Sequence, residues 1–122
     1  YKDWLKNNSI IIAQIEHKEA VENIEEIISL DSIDGIIIGP YDLSASYGIP
    51  GNFDEEIFLK AIEKVESACA KARFPCGFHV INPEWKTLNE KIKAGYTFLG
   101  FSLDFFFLGS KARDEMRKLN EK

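Results

Sequence analysis

Short, unbroken apolar runs alternate along this chain with longer stretches in which apolar residues recur every three or four positions, and that alternation limits the folds open to it. Segment 9–15 carries Ile10-Ile11-Ile12-Ala13, and segment 33–38 carries Ile36-Ile37-Ile38 directly after Asp34-Gly35. Segments 75–81 and 97–103 supply two further β-prone runs. Runs without polar alternation suit strands covered on both faces, as in parallel sheets. Between them the period is helical. Ala20, Val21, Ile24, Ile27 and Ile28 share one stripe of 18–30, and Phe58, Ala61, Ile62, Val65, Cys69 and Ala72 share one stripe of 54–73. Segment 84–94 carries Leu88 and Ile92 on a shorter stripe and stops at Gly95, a helix-ending residue. Segment 110–122 reads as a polar terminal helix, and 1–7 as the tail of an earlier one. The resulting helix-β-α-β-α-β-α-β-α order predicts an α/β fold, a parallel sheet with helical crossovers.

Two architectures satisfy that order: a doubly wound open sheet and a (β/α)8 barrel. A doubly wound domain would be served by a glycine-rich phosphate turn after its first strand. Gln14-Ile15-Glu16-His17 stands there instead, without a glycine. Four β/α units amount to about half a barrel, whose usual length is roughly 250 residues. The 122 residues argue for one domain or part of one. The first residue is Tyr1, so the natural beginning is expected to lie upstream.

Composition removes several functional classes. A 45% hydrophobic and 29% charged chain is an ordinary globular one, and no apolar stretch approaches the length of a bilayer span. Net charge is −5, with acidic and basic residues interleaved along helical segments. That pattern offers no phosphate-tracking patch, so neither nucleic acid nor membrane is expected as a partner. Nothing resembles a secretory leader, which points to the cytoplasm. Cys69 and Cys76 lack the spacing of a zinc or redox motif and read as two buried thiols in a reducing compartment.

Each expected strand ends in or beside a residue able to do chemistry. The first offers Gln14 and Glu16, and the second Gly39-Pro40-Tyr41-Asp42-Leu43-Ser44. The third offers His79 and Asn82, the fourth Ser102 and Asp104. The carboxyl ends of parallel strands form the active face of α/β folds. Glu16, following buried apolar residues, is either a metal ligand or an acid capping the helix that starts near Lys18. Asp42 is either a second ligand or the cap of a short turn over 43–46. Two hard carboxylates without paired Cys or His suit Mg2+ or Mn2+ better than Zn2+. His17 and His79 fit hydrogen-bonded structural roles, Asp104 a cap, and the Phe98, Phe101, Phe105, Phe106 and Phe107 cluster a core or a subunit interface.

Gln14-Ile15-Glu16, the run from Gly39-Pro40-Tyr41-Asp42-Leu43-Ser44 to Gly48, Gly77-Phe78-His79-Val80-Ile81-Asn82-Pro83 and segment 95–108 together resemble the 4-hydroxy-2-oxoheptanedioate / 2-dehydro-3-deoxyglucarate aldolase family. These are class II (HpcH/HpaI) enzymes of the phosphoenolpyruvate/pyruvate barrel superfamily. The resemblance covers nearly the whole chain and implies that residues 1–122 form the C-terminal half of a TIM (β/α)8 barrel. It implies a metal-dependent lyase that splits a 2-keto-3-deoxy acid into pyruvate and an aldehyde through a metal-stabilised enolate. Glu16 and Asp42 would bind the divalent cation, and Gln14 would contact the pyruvyl part. The backbone around Gly39, Pro40 and Tyr41 would hold its carboxylate.

The family's enolate-stabilising arginine and proton-transferring histidine belong to the other half of the barrel. The catalytic acid and base are therefore unknown here, and the 122-residue piece is expected to be inactive alone. The resemblance further implies a homo-oligomer built through the terminal helix. A citramalyl- or malyl-thioester lyase on a related barrel, and a non-catalytic half-barrel that binds partners, are the competing expectations.

Overall fold

The computed structural model describes residues 4–5 and 8–120. Strands form at all four apolar runs: β1 Ile12–Ile15, β2 Gly35–Ile38, β3 Cys76–Val80 and β4 Phe98–Phe101. The helices are α1 Lys18–Glu22, α2 Ile24–Ile28, α3 Pro40–Ser46, α4 Glu56–Ala72, α5 Trp85–Lys93 and α6 Asp104–Asn120. All strand pairs are parallel, in the spatial order β1-β2-β3-β4.

That order decides what periodicity left open. A doubly wound sheet reverses direction at a switch point so that helices cover both faces. Here each strand lies beside its successor. Right-handed crossovers that always step the same way deposit the helices on one face. Ile15, Ile36, Ile38, Phe78 and Val80 point to that face and are buried against Val21, Ile24, Phe58, Val65 and Cys69.

The alternate side chains point the other way. Register sets Gln14, Ile37, Gly77 and Phe98 in one row across this second face. The Phe98 ring lies over Gly77, where any Cβ would overlap it. The second face is poorly covered: Ile12, which pairs with Gly35, is 43% exposed, whereas Ile36 on the helix-covered face is 0% exposed. Among the described residues, β1 and β4 each have a single strand neighbour. This is the curved, one-sided arrangement of part of a barrel wall.

Three elements differ from the periodicity reading. The helix expected over 18–30 breaks at Asn23, whose amide side chain donates to the Glu19 carbonyl at 2.9 Å and competes with the backbone ladder. Ile10 and Ile11 precede β1 and are 78% and 50% exposed, and the Ile11 backbone exchanges bonds with Asp34. The terminal helix starts at Asp104 rather than near 110, since the Asp104 carboxylate accepts the Phe105 N–H at 2.8 Å. Phe105, Phe106 and Phe107 are thereby helical and exposed instead of core. Phe107 reaches back, edge-on to Phe101 at 5.1 Å. The expected helical tail over 1–7 lies largely outside the described residues, as do 121–122. No described helix is long and apolar enough to cross a membrane.

Candidate active site

The rim at the carboxyl ends of β1 and β2 gathers the residues singled out from sequence. Gly39 follows β2 directly, and its N–H donates to the Ile15 carbonyl at 3.1 Å, extending the ladder by one bond. A Cβ on Gly39 would stand 2.8 Å from Gln14 Nε2 and 3.5 Å from Glu16 Cβ. Gly39 therefore touches both side chains. Its φ of −97° suits any residue, so it is close approach that requires glycine here. Gln14 in turn donates its amide N–H to a Glu16 carboxylate oxygen at 2.7 Å.

Pro40 starts α3, where its missing N–H and fixed φ are tolerated. A second tether fixes this helix: the Lys18 N–H donates to Ser46 Oγ at 3.0 Å. Glu16 thus lies between two links, Ile15 to Gly39 and Lys18 to Ser46. Asp42 sits one helical turn before Ser46, and residues four apart share a face. The face of α3 that carries Asp42 is therefore the one turned to the Glu16–Lys18 loop. Buried Ser44 holds the far side, donating to the Tyr41 carbonyl at 2.8 Å and accepting the Gly51 N–H at 2.9 Å.

Neither acid is used as a cap. His17 caps α1, its Nδ1 accepting the Glu19 N–H at 3.3 Å, and Gly39 caps α3 without a side-chain bond. Glu16 and Asp42 are both exposed, and neither is in an ion pair among the described residues. Among the described residues no three His, Cys, Asp or Glu side chains gather as a metal cage. A pair of hard carboxylates outside any ion pair of the described residues still fits a Mg2+-like cation, which keeps several waters and takes its remaining ligands from substrate. The donor set and the cation suit each other.

The backbone contribution is narrower than the motif implies. Gly39 has already given its N–H to β1, and Pro40 has none. The Tyr41 and Asp42 amides are those that helix geometry leaves without an intrahelical acceptor. The Tyr41 ring leans away, edge-on to Phe53 at 5.1 Å. Beside it, Pro40, Tyr41, Phe53, Phe58 and Phe78 line a cavity of about 220 Å3 that Glu16 and Gln14 do not reach.

His79 occupies the next strand on the same face, paired with Gly100, and its Nε2 lies 3.4 Å from the Ser102 carbonyl. Sequence marks Ser102 as a strand-end hydroxyl. It is buried in a left-handed conformation, φ 58°, which a residue other than glycine adopts only when its surroundings enforce it. The Ile81 carbonyl accepts its hydroxyl at 2.7 Å, and the Val80 carbonyl accepts its N–H at the same distance. Asn82 is exposed at the end of β3, and Asp104 is spent on the first turn of α6. Ser44, Ser46 and Ser102 act as tethers, a role that the sequence does not reveal although it offers Ser44 and Ser102 as strand-end residues. Two of them stood inside the quoted motif, but nothing in a sequence separates a tethering serine from a turn serine.

The chain is 41% identical over 61 residues to a 4-hydroxy-4-methyl-2-oxoglutarate aldolase of Chaetomium globosum, covering 50% of this chain and 23% of that protein. It is 30% identical over 112 residues to a 4-hydroxy-2-oxovalerate aldolase of Novosphingobium aromaticivorans, covering 92% and 42%. The crystal structure of an HpcH/HpaI aldolase from Desulfitobacterium hafniense superposes with a TM-score of 0.87 at 27% identity, covering 99% of this chain and 48% of that one. The chain therefore spans less than half the length of these relatives, and its sheet is part of their TIM-barrel-like fold. The HpcH/HpaI aldolase/citrate lyase family matches residues 5–108, with the Gln14–Glu16 and Gly39–Ser44 segments inside that span, and this chain belongs to it.

Proposed function

We propose that residues 1–122 supply the C-terminal half of a class II pyruvate aldolase, a carbon–carbon lyase acting in the cytoplasm. The intact enzyme cleaves a 2-keto-3-deoxy acid to pyruvate and an aldehyde. The observation that carries this reading is the rim itself, where Gly39 presses on Gln14 and on Glu16, whose carboxylate accepts the Gln14 amide, and where neither Glu16 nor Asp42 is in an ion pair among the described residues.

Glu16 and Asp42 hold Mg2+ or Mn2+ through one carboxylate each, which leaves coordination positions for substrate. When bound, the cation supplies Lewis-acid stabilisation of charge developing on the keto oxygen. The chain's own groups do the positioning. Gln14 orients Glu16 through its amide and offers its remaining polar atoms to the pyruvyl group. The Tyr41 and Asp42 amides at the start of α3 face the substrate carboxylate, the polarity that the helix end favours. Gly39 keeps the rim open at the point where a methyl group would displace Gln14. The substrate's acid and base partners come from the other half of the barrel.

The terminal helix completes the reading. Phe105, Leu108, Met116 and Leu119 of α6 are 58%, 73%, 59% and 62% exposed, an apolar surface suited to a neighbouring subunit in a homo-oligomer.

The test uses the intact protein. Pyruvate release from a 2-keto-3-deoxy sugar acid should require Mg2+ or Mn2+ and stop on chelation. A thioester substrate should not release product. Asp42→Asn and Glu16→Gln should each weaken Mn2+ binding, measured by calorimetry or by the electron paramagnetic signal of free Mn2+. Wild-type Mn2+ affinity in both variants would remove the assignment. The separate 122-residue chain should show no turnover, and robust turnover would mean that copies of it rebuild the site.

A further inference from the structure

Cys69 and Cys76 are unrelated by motif, yet the fold sets them side by side. Cys69 lies on the buried stripe of α4 in its last turn, and Cys76 opens β3. The turn between them closes through Arg73, left-handed at φ 53°, and through the Phe74 N–H donating to the Cys69 carbonyl at 2.9 Å. The side chains are 2% and 8% exposed. They are not sealed, however. Both line a cavity of about 300 Å3 at the amino end of β3, shared with Glu66, Arg73 and Tyr96. Tyr96 donates its hydroxyl to Glu66 at 2.5 Å, while Arg73 forms no ion pair among the described residues. The cavity thus presents two adjacent thiols and an uncommitted cation.

We propose that Cys69 and Cys76 are a dithiol modification site that closes to an intramolecular disulfide on meeting a small anionic disulfide of the oxidised-glutathione class. The cavity is the port of entry and Arg73 the group that attracts the oxidant's carboxylates. The Cys69 thiolate attacks one sulfur of the oxidant, forming a mixed disulfide and releasing one small thiol, which takes up a proton. Cys76 then loses its proton and attacks the Cys69 sulfur, forming the internal bond and releasing the second small thiol. Two protein thiols are oxidised while one small disulfide is reduced to two thiols, so atoms and electrons balance.

The order follows from the environment. The Cys76 thiol draws the Cys69 pKa down against the opposing effect of burial. The Cys69 thiol, burial and the Glu66 carboxylate push Cys76 up, and the Cys76 thiol is directed to the Gly77 carbonyl at 4.0 Å. Thiolate character, and with it nucleophilicity, therefore belongs to Cys69. Once Cys69 is capped, its charge no longer holds the Cys76 proton in place. The product would staple the end of α4 to the start of β3. Neither thiol belongs to the carboxylate rim, so the inference stands independently of the aldolase reading.

The experiment incubates the intact protein with oxidised glutathione, alkylates the remaining thiols, and maps peptides without reduction. The expected result is a cross-link between the Cys69 and Cys76 peptides that dithiothreitol reverses. Cys76→Ser should accumulate a stable glutathione adduct on Cys69. Cys69→Ser should label at Cys76 at least about tenfold more slowly than that. Cys→Ala versions serve if serine disturbs the fold, with far-UV circular dichroism as the check. Two free thiols in the folded wild type after incubation, or a mixed disulfide that never resolves, would overturn the proposal.

Discussion

The two sides of the sheet's first two strands treat their residues in opposite ways. On the helix-covered side, Ile15, Ile36 and Ile38 are 1%, 0% and 0% exposed. At the carboxyl rim of the same strands, Gln14, Glu16 and Asp42 are exposed, and no helix cap or ion pair of the described residues takes up the two acids. One region is closed by apolar packing. The other keeps polar capacity in reserve while its backbone is fixed by two hydrogen bonds. Stability and ligand binding should therefore separate on substitution, although the residues concerned lie within a few positions of one another.

The largest effect should come from the packed side. Ile36→Ala leaves a cavity in the fully buried core and should destabilise the intact protein by about 2–5 kcal/mol, read from denaturant unfolding. Loss of Mn2+ affinity without loss of stability in that variant would break the separation. Asp42→Asn should do the reverse. Its Mn2+ affinity should fall at least roughly a hundredfold, since even groups supporting a ligand contribute ten- to a hundredfold, while the unfolding midpoint stays within experimental error.

Gly39→Ala sharpens the contrast, because its new Cβ meets the movable end of Gln14 rather than fixed backbone. Stability should change little. The glutamine amide should be driven off Glu16, and kcat/KM for keto-acid cleavage should drop roughly ten- to a hundredfold. A normal kcat/KM would show that Gln14 does not need its present place. The smallest effect belongs to Tyr96→Phe, which removes the hydroxyl donated to half-buried Glu66 and should destabilise by about 1 kcal/mol without touching activity.

Sequence and structure divide the site unevenly. The four strands were legible because each apolar run is too short and too uniform for an exposed helix. α4 was legible from the stripe through Phe58, Ala61, Ile62, Val65 and Cys69. The break at Asn23 and the early start of α6 were not. Each turns on a single side-chain-to-backbone bond, from Asn23 to Glu19 and from Phe105 to Asp104, which competes with periodicity and leaves no periodic trace. The capping alternatives for Glu16 and Asp42 were equally open in sequence. They closed only when His17 and Gly39 were found in the capping positions.

The order of apolar runs and stripes by itself determined that this chain makes a parallel α/β sheet, because hydrophobic period is a local property that burial enforces residue by residue. Its motif segments likewise pointed to the HpcH/HpaI family. Three-dimensional packing alone decided that the strands lie in consecutive order with helices on one face. It also decided that Gly39 presses on Gln14 and Glu16, that Ser46 ties α3 to the start of α1, and that Cys69 and Cys76 line one cavity. Those are placements of residues 7 to 28 positions apart, fixed by how elements dock rather than by what any one segment prefers.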